Sequence, residues 1–194
     1  KKSILNIMIA KKDLQFAIVS TDILLLRNNK GTVEYATQVI NKPPYYVNIP
    51  ALIGGVLKPN ETSLHAVKRI INEKTSYSST MMESIPLGFY DEVGRDKRGR
   101  VVSLSYIGIT NSCEDKPEVI WRPLHTPIKL AYDHTRMVED AKKYLREHLF
   151  LTVVGLYFMK EEFTIGELQI VFEYILGKKV DKRNFYKFIV ELPI

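Results

Sequence analysis

The stretch GGVLKPNETSLHAVKRIINEK, residues 54–74, places charged residues at fixed distances after a glycine pair. Five residues separate Gly55 from Glu61, and seven more separate Glu61 from Arg69. Apolar residues then recur at helical spacing, and a hydroxyl residue is available as N-cap. These residues are Leu64, Val67, Ile70 and Ile71, with Thr62 or Ser63 as the cap. The stretch predicts a glycine turn followed by an amphipathic helix.

The end of this helix is a poor place for a divalent cation. Mg²⁺ and Mn²⁺ need several oxygen ligands, but the helix ends with Glu73 as its single carboxylate, next to Lys74. A lysine ammonium repels a cation and attracts a phosphate. Arg69 and Glu73 are four residues apart and can pair across one helical turn, which stabilises a helix by about 0.2–0.5 kcal/mol. We therefore expect Glu73 to pair with Arg69; the alternative makes it a metal ligand.

The residues around this helix read as strands separated by turns. Alternating or β-branched runs predict strands over about 15–26, 33–40, 85–90, 101–109 and 119–121. The signal Asn28-Asn29-Lys30-Gly31 predicts a turn, and Pro43-Pro44 predicts a loop that leads to Gly54. Residues 1–133 are therefore predicted to form a mixed α/β domain.

The pattern changes at residue 134 to helices alone. A helical period predicts a helix over 135–148, and Thr164 with Glu167 forms a capping-box pattern. The helix that follows ends at Gly177, and Asp181 caps a second one. The inner faces are Leu168, Val171, Phe172 and Ile175, then Phe185, Phe188, Ile189 and Leu192. Residues 134–194 thus predict a helix-turn-helix unit, and no β-hairpin wing follows it in the sequence given.

Positive charge gathers on the second helix of this unit. The chain has a net charge of +6, and residues 177–187 carry five basic residues against one acid. We expect Lys182 and Lys187 to contact DNA phosphates and Asn184 to read a base edge. The full candidate DNA-binding set is Thr164, Lys182, Arg183, Asn184, Tyr186 and Lys187. The alternative is an ordinary solvated helix face, with Thr164 serving only as N-cap.

Another basic cluster lies in the turn Gly94-Arg95-Asp96-Lys97-Arg98-Gly99-Arg100. Guanidinium groups bind phosphate through two parallel hydrogen bonds, which makes Arg95 and Arg100 candidate ligand-binding residues. The alternatives are an exposed hairpin tip, or a contact with DNA or a partner subunit.

Several of these segments together resemble the Nudix-related transcriptional regulators. Gly55, Glu61, Arg69 and Glu73 match part of the Nudix box, whose consensus continues R-E-U-x-E-E, where U is a bulky aliphatic residue. The resemblance is also carried by residues 94–103, by the junction Tyr132-Asp133-His134, and by residues 164–190 with the preceding Phe163. It extends over nearly the whole chain.

The resemblance implies both a fold and a function. The fold would be an α/β Nudix fold, a mixed sheet sandwiched by helices, followed by a small, mainly helical winged-helix domain. The Nudix domain would sense a small-molecule effector, either an ADP-ribose-like nucleotide or a sugar. The protein would bind a double-stranded DNA operator as a homodimer and act as a repressor, although activation stays open.

The Nudix box departs from its consensus where the metal-binding glutamates belong. Ile70 and Lys74 stand in two of those places, so we expect no catalytic residues, no metal and no cofactor. Two alternatives stay open: a Nudix hydrolase acting on ADP-ribose or a related nucleoside diphosphate derivative, and a metabolite-binding protein with no role on DNA.

The remaining features narrow the class of protein. No apolar run approaches the roughly 18 residues of a membrane helix. A lone cysteine, Cys113, excludes an intramolecular disulfide and fits a reducing cytoplasm. The four histidines are scattered without the spacing of metal ligands.

Overall fold

A mixed sheet is built from strands that lie between residues 18 and 123. The computed structural model describes residues 16–79, 82–111 and 115–191, and seven strands are found within these ranges. They are β1 (Ile18–Asn29), β2 (Thr32–Lys42), β3 (Tyr46–Ala51), β4 (Ile53–Val56), β5 (Met82–Tyr90), β6 (Val101–Thr110) and β7 (Ile120–Pro123). Their order is β3-β2-β1-β6-β5, with β4 also paired to β1 and β7 to β2. Only β1 and β6 run parallel to each other among these pairs.

Helices cover both faces of this sheet because β1 is apolar on both sides. Side chains of a strand alternate between faces. Ile23 and Leu25 pack against helix α1 (Ser63–Thr75), whereas Leu24 and Leu26 pack against the C-terminal helices. All four of these side chains are fully buried. The predicted sandwich of helices around a mixed sheet is confirmed.

The C-terminal part is helical, as the sequence predicts. Its elements are α2 (His134–His148), a 3₁₀ helix (Val153–Phe158), α3 (Ile165–Leu176) and α4 (Lys182–Val190). The Thr164–Glu167 capping box is formed in both directions, and Asp181 caps α4 by accepting from the Asn184 amide. Gly177 ends α3 in the left-handed region at φ 69°.

The C-terminal helices and the sheet share one hydrophobic cluster. Leu24 and Leu26 of β1 belong to the same cluster as Phe172 of α3 and Phe185 of α4. At the β1–β2 turn, a Cβ built on Gly31 would lie 2.5 Å from the Ile170 side chain. The predicted boundary at residues 133 and 134 falls at the start of α2, and this core continues across it.

Two features of the fold differ from the sequence-based expectation. The segment between Pro43-Pro44 and Gly54 was expected to be a loop, but it contains β3 and the start of β4. β3 is an edge strand that tolerates Pro50, and β4 is only four residues long with two glycines, so neither shows strand periodicity. The 3₁₀ helix was not predicted.

Some expectations concern residues that the structure does not describe. These are the start of the first strand at Gln15, the surroundings of Cys113, the packing of Leu192, and the place of a wing after α4. Among the helices of the described ranges, none combines the length and the apolar character needed to cross a membrane.

Candidate ligand cavity and DNA-binding helix

A cavity of about 270 Å³ opens beside β1, β4, the β5–β6 loop and the start of α2. Its apolar wall includes Ile18, Ile40, Leu52 and Val101. Its polar wall includes Ser20, Asp22, Gln38, Lys42, Lys74, Arg95, Asp96, Arg98, Tyr132 and His134. A partly apolar cavity with converging charged groups is typical of a small-molecule site.

Gly54 lets β4 pass close to a buried carboxylate. In the antiparallel pairing of β1 and β4, Gly54 lies opposite Asp22. A Cβ on Gly54 would lie 2.0 Å from Asp22 Oδ1, closer than any side chain could be placed. The glycine at the start of the quoted stretch is therefore required by the carboxylate beneath it.

Asp22 belongs to a buried ion network that reaches the first turn of α2. Arg95 donates to both oxygens of Asp133, at 2.8 and 2.6 Å, and to Asp22 at 3.2 Å. Ser103 donates to Asp22 at 2.7 Å. Burial by itself raises the pKa of the Asp22 carboxyl, but His134, Ser103 and Arg95 together hold that pKa well below its usual range. Asp22 is therefore a structural anion.

Arg95 lines the cavity but has little charge to offer a ligand. Its side chain is only 3% exposed, and its guanidinium is shared between two aspartates. Arg100, the other arginine proposed for ligand binding, is exposed and donates to the Asp91 carbonyl. Arg95 therefore lines the cavity, whereas Arg100 is not one of the described residues that line it.

His134 lines the cavity and has one buried ring nitrogen without a hydrogen-bond partner in the described part of the chain. Its Nδ1 accepts a hydrogen bond from the Leu52 amide at 2.9 Å, which fixes the ring. Its Nε2 lies 3.5 Å from Asp22 Oδ1 and has no hydrogen-bond partner within the described ranges. The side chain is 2% exposed. A buried polar atom of this kind is costly unless something pairs with it.

The charged residues of the quoted stretch bind one another. Arg69 donates to both oxygens of Glu61, at 2.8 and 2.6 Å, and to Glu73 at 3.0 Å. The predicted pair of Arg69 and Glu73 is thus present. Glu61 also accepts from the Lys58 amide at 2.7 Å. The hydrogen bonds from Arg69 are the largest cause of the low pKa of Glu61, about 2.

This set of side chains does not fit a divalent cation. Both glutamates are committed to Arg69, Ile70 is fully buried beneath Gly55, and Lys74 donates its ammonium to the Gly54 carbonyl. Within the described ranges, no three histidine, cysteine, aspartate or glutamate side chains cluster as a metal site would require. The chemistry of the donors at the box therefore favours an anion.

Sequence reasoning missed several residues of the cavity, including Asp22, Lys42 and Tyr132. An aspartate inside the apolar run of β1 was a usable signal, because a buried charge needs a partner. Lys42 carried no signal, since only its position at the end of β2 places it at the cavity. Arg98, which pairs with Asp96 through two nitrogens, also lines the cavity.

Helix α4 has the two faces expected of a recognition helix. Phe185 and Ile189 are buried at 1% and 7% exposure and attach the helix to the core. The exposed face consists of Lys182, Arg183, Asn184, Tyr186 and Lys187. Thr164 lies elsewhere, at the start of α3. Its amide and hydroxyl both donate to the Glu167 carboxylate, so a phosphate would have to displace that carboxylate.

Comparisons with known proteins match both parts of the chain. A family model described as the NrtR DNA-binding winged helix domain matches residues 155–194. The ADPR responsive transcriptional repressor NtrR of Acinetobacter baylyi is 24% identical over 93% of this chain and 75% of its own length. An ADP-ribose pyrophosphatase of Methanocaldococcus jannaschii is 34% identical, over 46% of this chain and 55% of its own.

A crystal structure of Shewanella oneidensis NrtR extends the likeness to the three-dimensional fold. It superposes with a TM-score of 0.74 at 26% identity, covering 90% of this chain and 85% of that one. The similarity therefore includes the sheet, α2 and the C-terminal helices together.

Proposed function

Because this chain belongs to the Nudix-related transcriptional regulators, we propose that it represses transcription from a DNA operator under the control of a small metabolite. The metabolite binds in the cavity beside β1, and the exposed face of α4 binds the operator. We further propose that the protein works as a homodimer in the cytoplasm, and that it binds the metabolite without hydrolysing it.

The observation that supports this proposal is that the start of helix α2 forms part of the cavity wall. Tyr132 and His134 line the cavity, and Asp133 between them pairs with Arg95. A ligand in the cavity therefore touches the first turn of α2. At the other end of α2, Arg146 donates to the Ile175 carbonyl of α3 at 3.2 Å. A movement of α2 would thus reach the helices that carry the DNA-binding face.

Occupancy of the cavity can alter DNA binding only under one thermodynamic condition. The ligand must bind the DNA-competent form and the incompetent form with different affinities. The two ends of α2 provide a physical route for such a difference, because one end contacts the cavity and the other contacts α3.

We propose an ADP-ribose-like nucleotide as the effector. The Acinetobacter baylyi relative is described as ADPR responsive, and the Methanocaldococcus jannaschii relative as an ADP-ribose pyrophosphatase. Lysines at the cavity suit a phosphate-bearing ligand. A sugar without phosphate is the competing choice, and a thermal-shift screen separates the two. A ligand at one hundred times its dissociation constant stabilises a protein by about 2.7 kcal/mol.

The decisive experiment measures DNA affinity with and without ADP-ribose. DNA selected in vitro by the protein is labelled, and binding is followed by fluorescence anisotropy at several salt concentrations. We expect ADP-ribose to weaken binding at least tenfold. If the affinity for DNA is the same with and without saturating ADP-ribose, the choice of effector is wrong.

Variants of α4 test the DNA-binding face in the same assay. We expect Lys182→Ala to weaken binding to all sequences and to lower the salt slope by about one, because it removes one phosphate contact. Lys143→Ala, an exposed lysine on α2, is the matched control and should behave like the wild type. Wild-type affinity and slope in Lys182→Ala would contradict the assignment of α4.

The likeness to an ADP-ribose pyrophosphatase makes hydrolysis the second candidate function. The pairing of Glu61 and Glu73 with Arg69 argues against it, since both of these glutamates are engaged by an arginine rather than free for a metal ion. Incubation of ADP-ribose with the protein and Mg²⁺ or Mn²⁺ separates the two functions. Turnover that disappears in Glu73→Gln would establish the enzyme.

A further inference from the structure

We propose that Lys74 and Lys42 form a phosphate-binding subsite in the cavity, which binds the diphosphate of the effector without a divalent cation. This inference rests on the proposed function, since it assumes that the cavity holds a nucleoside diphosphate sugar. It adds the means of recognition: two ammonium groups take over the charge neutralisation that carboxylate-bound metal ions provide in an intact Nudix box.

Lys74 is placed by the last turn of α1. Its Nζ donates to the Gly54 carbonyl, so the ammonium is held over the glycine pair at the edge of the cavity. Burial lowers the pKa of Lys74, while Asp22 and Glu73 act in the opposite direction. Both of these carboxylates are already bound by arginines. The ammonium therefore lacks a full counter-charge.

Lys42 lines the same cavity from the end of β2. Its side chain makes no hydrogen bond or ion pair within the described part of the chain, although Asp96 and Asp22 act on its charge at longer range. Burial lowers its pKa first, and the positive charges of Arg98 and Lys74 lower it further. Two like charges that destabilise each other in a cavity would both be stabilised by one bound anion.

His134 is an independent sign that this cavity holds a polar ligand. His134 lines the cavity, and its Nε2 is buried and has no hydrogen-bond partner among the described residues. Asp22 Oδ1 lies 3.5 Å from this nitrogen, and Arg95 and Ser103 donate to the other oxygen of that carboxylate, Oδ2. A ligand oxygen or hydroxyl within reach of this nitrogen would satisfy it.

Arg98 is a third basic residue at the subsite, but its charge is already paired with an aspartate. Its guanidinium is bound to Asp96 through two nitrogens and lies 5.6 Å from the centre of the Tyr132 ring. Asp22 and Asp96 are therefore paired with arginines, whereas neither Lys42 nor Lys74 has an ion pair with a carboxylate of the described residues. This imbalance selects an anionic ligand.

The test is calorimetric titration of ADP-ribose into the full chain, once in EDTA and once in Mg²⁺. We expect the two dissociation constants to agree within about threefold. Lys74→Met should weaken binding by about tenfold to a hundredfold in EDTA, the size expected for a hydrogen bond to a charged group. Lys74→Arg keeps the charge and should stay within about threefold of the wild type.

Controls separate loss of the subsite from loss of the fold. Lys68→Met, an exposed lysine on the same helix, should bind like the wild type. If Lys74→Met does not fold, Lys42→Met replaces it in the test, and we expect the same loss of affinity for ADP-ribose. Binding that requires Mg²⁺, or wild-type affinity in both Lys74→Met and Lys42→Met, would overturn the proposal.

A second probe distinguishes failure of the subsite from failure of the effector. If ADP-ribose binds in neither buffer, the effector is wrong, and inorganic pyrophosphate in EDTA decides the subsite. Pyrophosphate binding that is lost in Lys74→Met supports the subsite with a different natural ligand. No pyrophosphate binding by the wild type would overturn it.

Discussion

Arg69 holds Glu61 from the loop and Glu73 from its own helix with one guanidinium, and this pairing has a consequence for pH dependence. The pKa of Glu61 falls from its ordinary value of 4.5 to about 2 in the folded chain. A depressed pKa means that the carboxylate stabilises the fold above its unfolded pKa. That stabilisation is lost as the pH falls toward the folded value.

We therefore predict that Glu61→Gln unfolds at a lower urea concentration than the wild type at pH 7. The difference between the two should shrink as the pH falls from about 4.5 to about 2. Urea unfolding at pH 7, 4 and 2.5 checks this, and comparison with the variant removes the shared effect of other titrating groups. If the difference in unfolding midpoint between the wild type and Glu61→Gln stays constant down to pH 2.5, the ion pair of Glu61 with Arg69 does not stabilise the fold.

At the scale of single residues, sequence spacing predicts contacts along one helix better than contacts across the fold. The pair of Arg69 and Glu73 follows from the helical repeat alone. The burial of Arg95 between Asp22 and Asp133 does not, because it brings together residues 73 and 38 positions apart. A charged side chain on a loop looks exposed until the fold supplies its partners.

Among the helices, the end of α3 offers a sharp test of local structure. Gly177 has φ 69°, and its amide donates to the carbonyls of Glu173 and Tyr174. A side chain in the left-handed region costs roughly 1–2 kcal/mol. We predict that Gly177→Ala lowers the free energy of unfolding by about 1 kcal/mol, measured by urea denaturation.

The matched control is Gly166→Ala, in the first turn of the same helix. A Cβ there would meet nothing closer than 3.8 Å, and alanine favours helix over glycine. We expect this variant to be neutral or slightly more stable. A loss in Gly166→Ala equal to that in Gly177→Ala would show that the backbone conformation at Gly177 is not the cause.

An element could be predicted from the sequence when neighbouring residues in the chain determine its structure. The caps of α1, α3 and α4 were readable because Thr62, Thr164 and Asp181 accept from amides three residues ahead. β3 and β4 were not, because short edge strands with proline and glycine are stabilised by their neighbours more than by their own pattern.

At the scale of the whole molecule, the continuous core predicts cooperative unfolding. Phe172 touches the rings of Phe150 and Phe185, and it shares a cluster with Leu24 of the sheet. Removing a buried phenylalanine typically costs about 3–5 kcal/mol. We predict that Phe172→Ala lowers the stability of the sheet as well as that of the C-terminal helices.

Trp121 makes this prediction measurable, since it is the only tryptophan of the chain and lies in β7. Its fluorescence should report the sheet, while far-ultraviolet circular dichroism is dominated by the helices. In Phe172→Ala both signals should shift together to lower urea. A sheet transition that stays at its wild-type midpoint would show that the two parts unfold separately.

The absence of a side chain at Gly31 lets Ile170 lie directly against the β1–β2 turn, so α3 packs closely on this end of the sheet. A protomer built this way presents its reading helix at a set distance from its own sheet. In a dimer, the spacing between two operator half-sites, about 34–36 Å per turn of DNA, would then be dictated by the subunit interface. An effector that weakens DNA binding would then have to rotate whole protomers against each other, or move Ile170 away from Gly31.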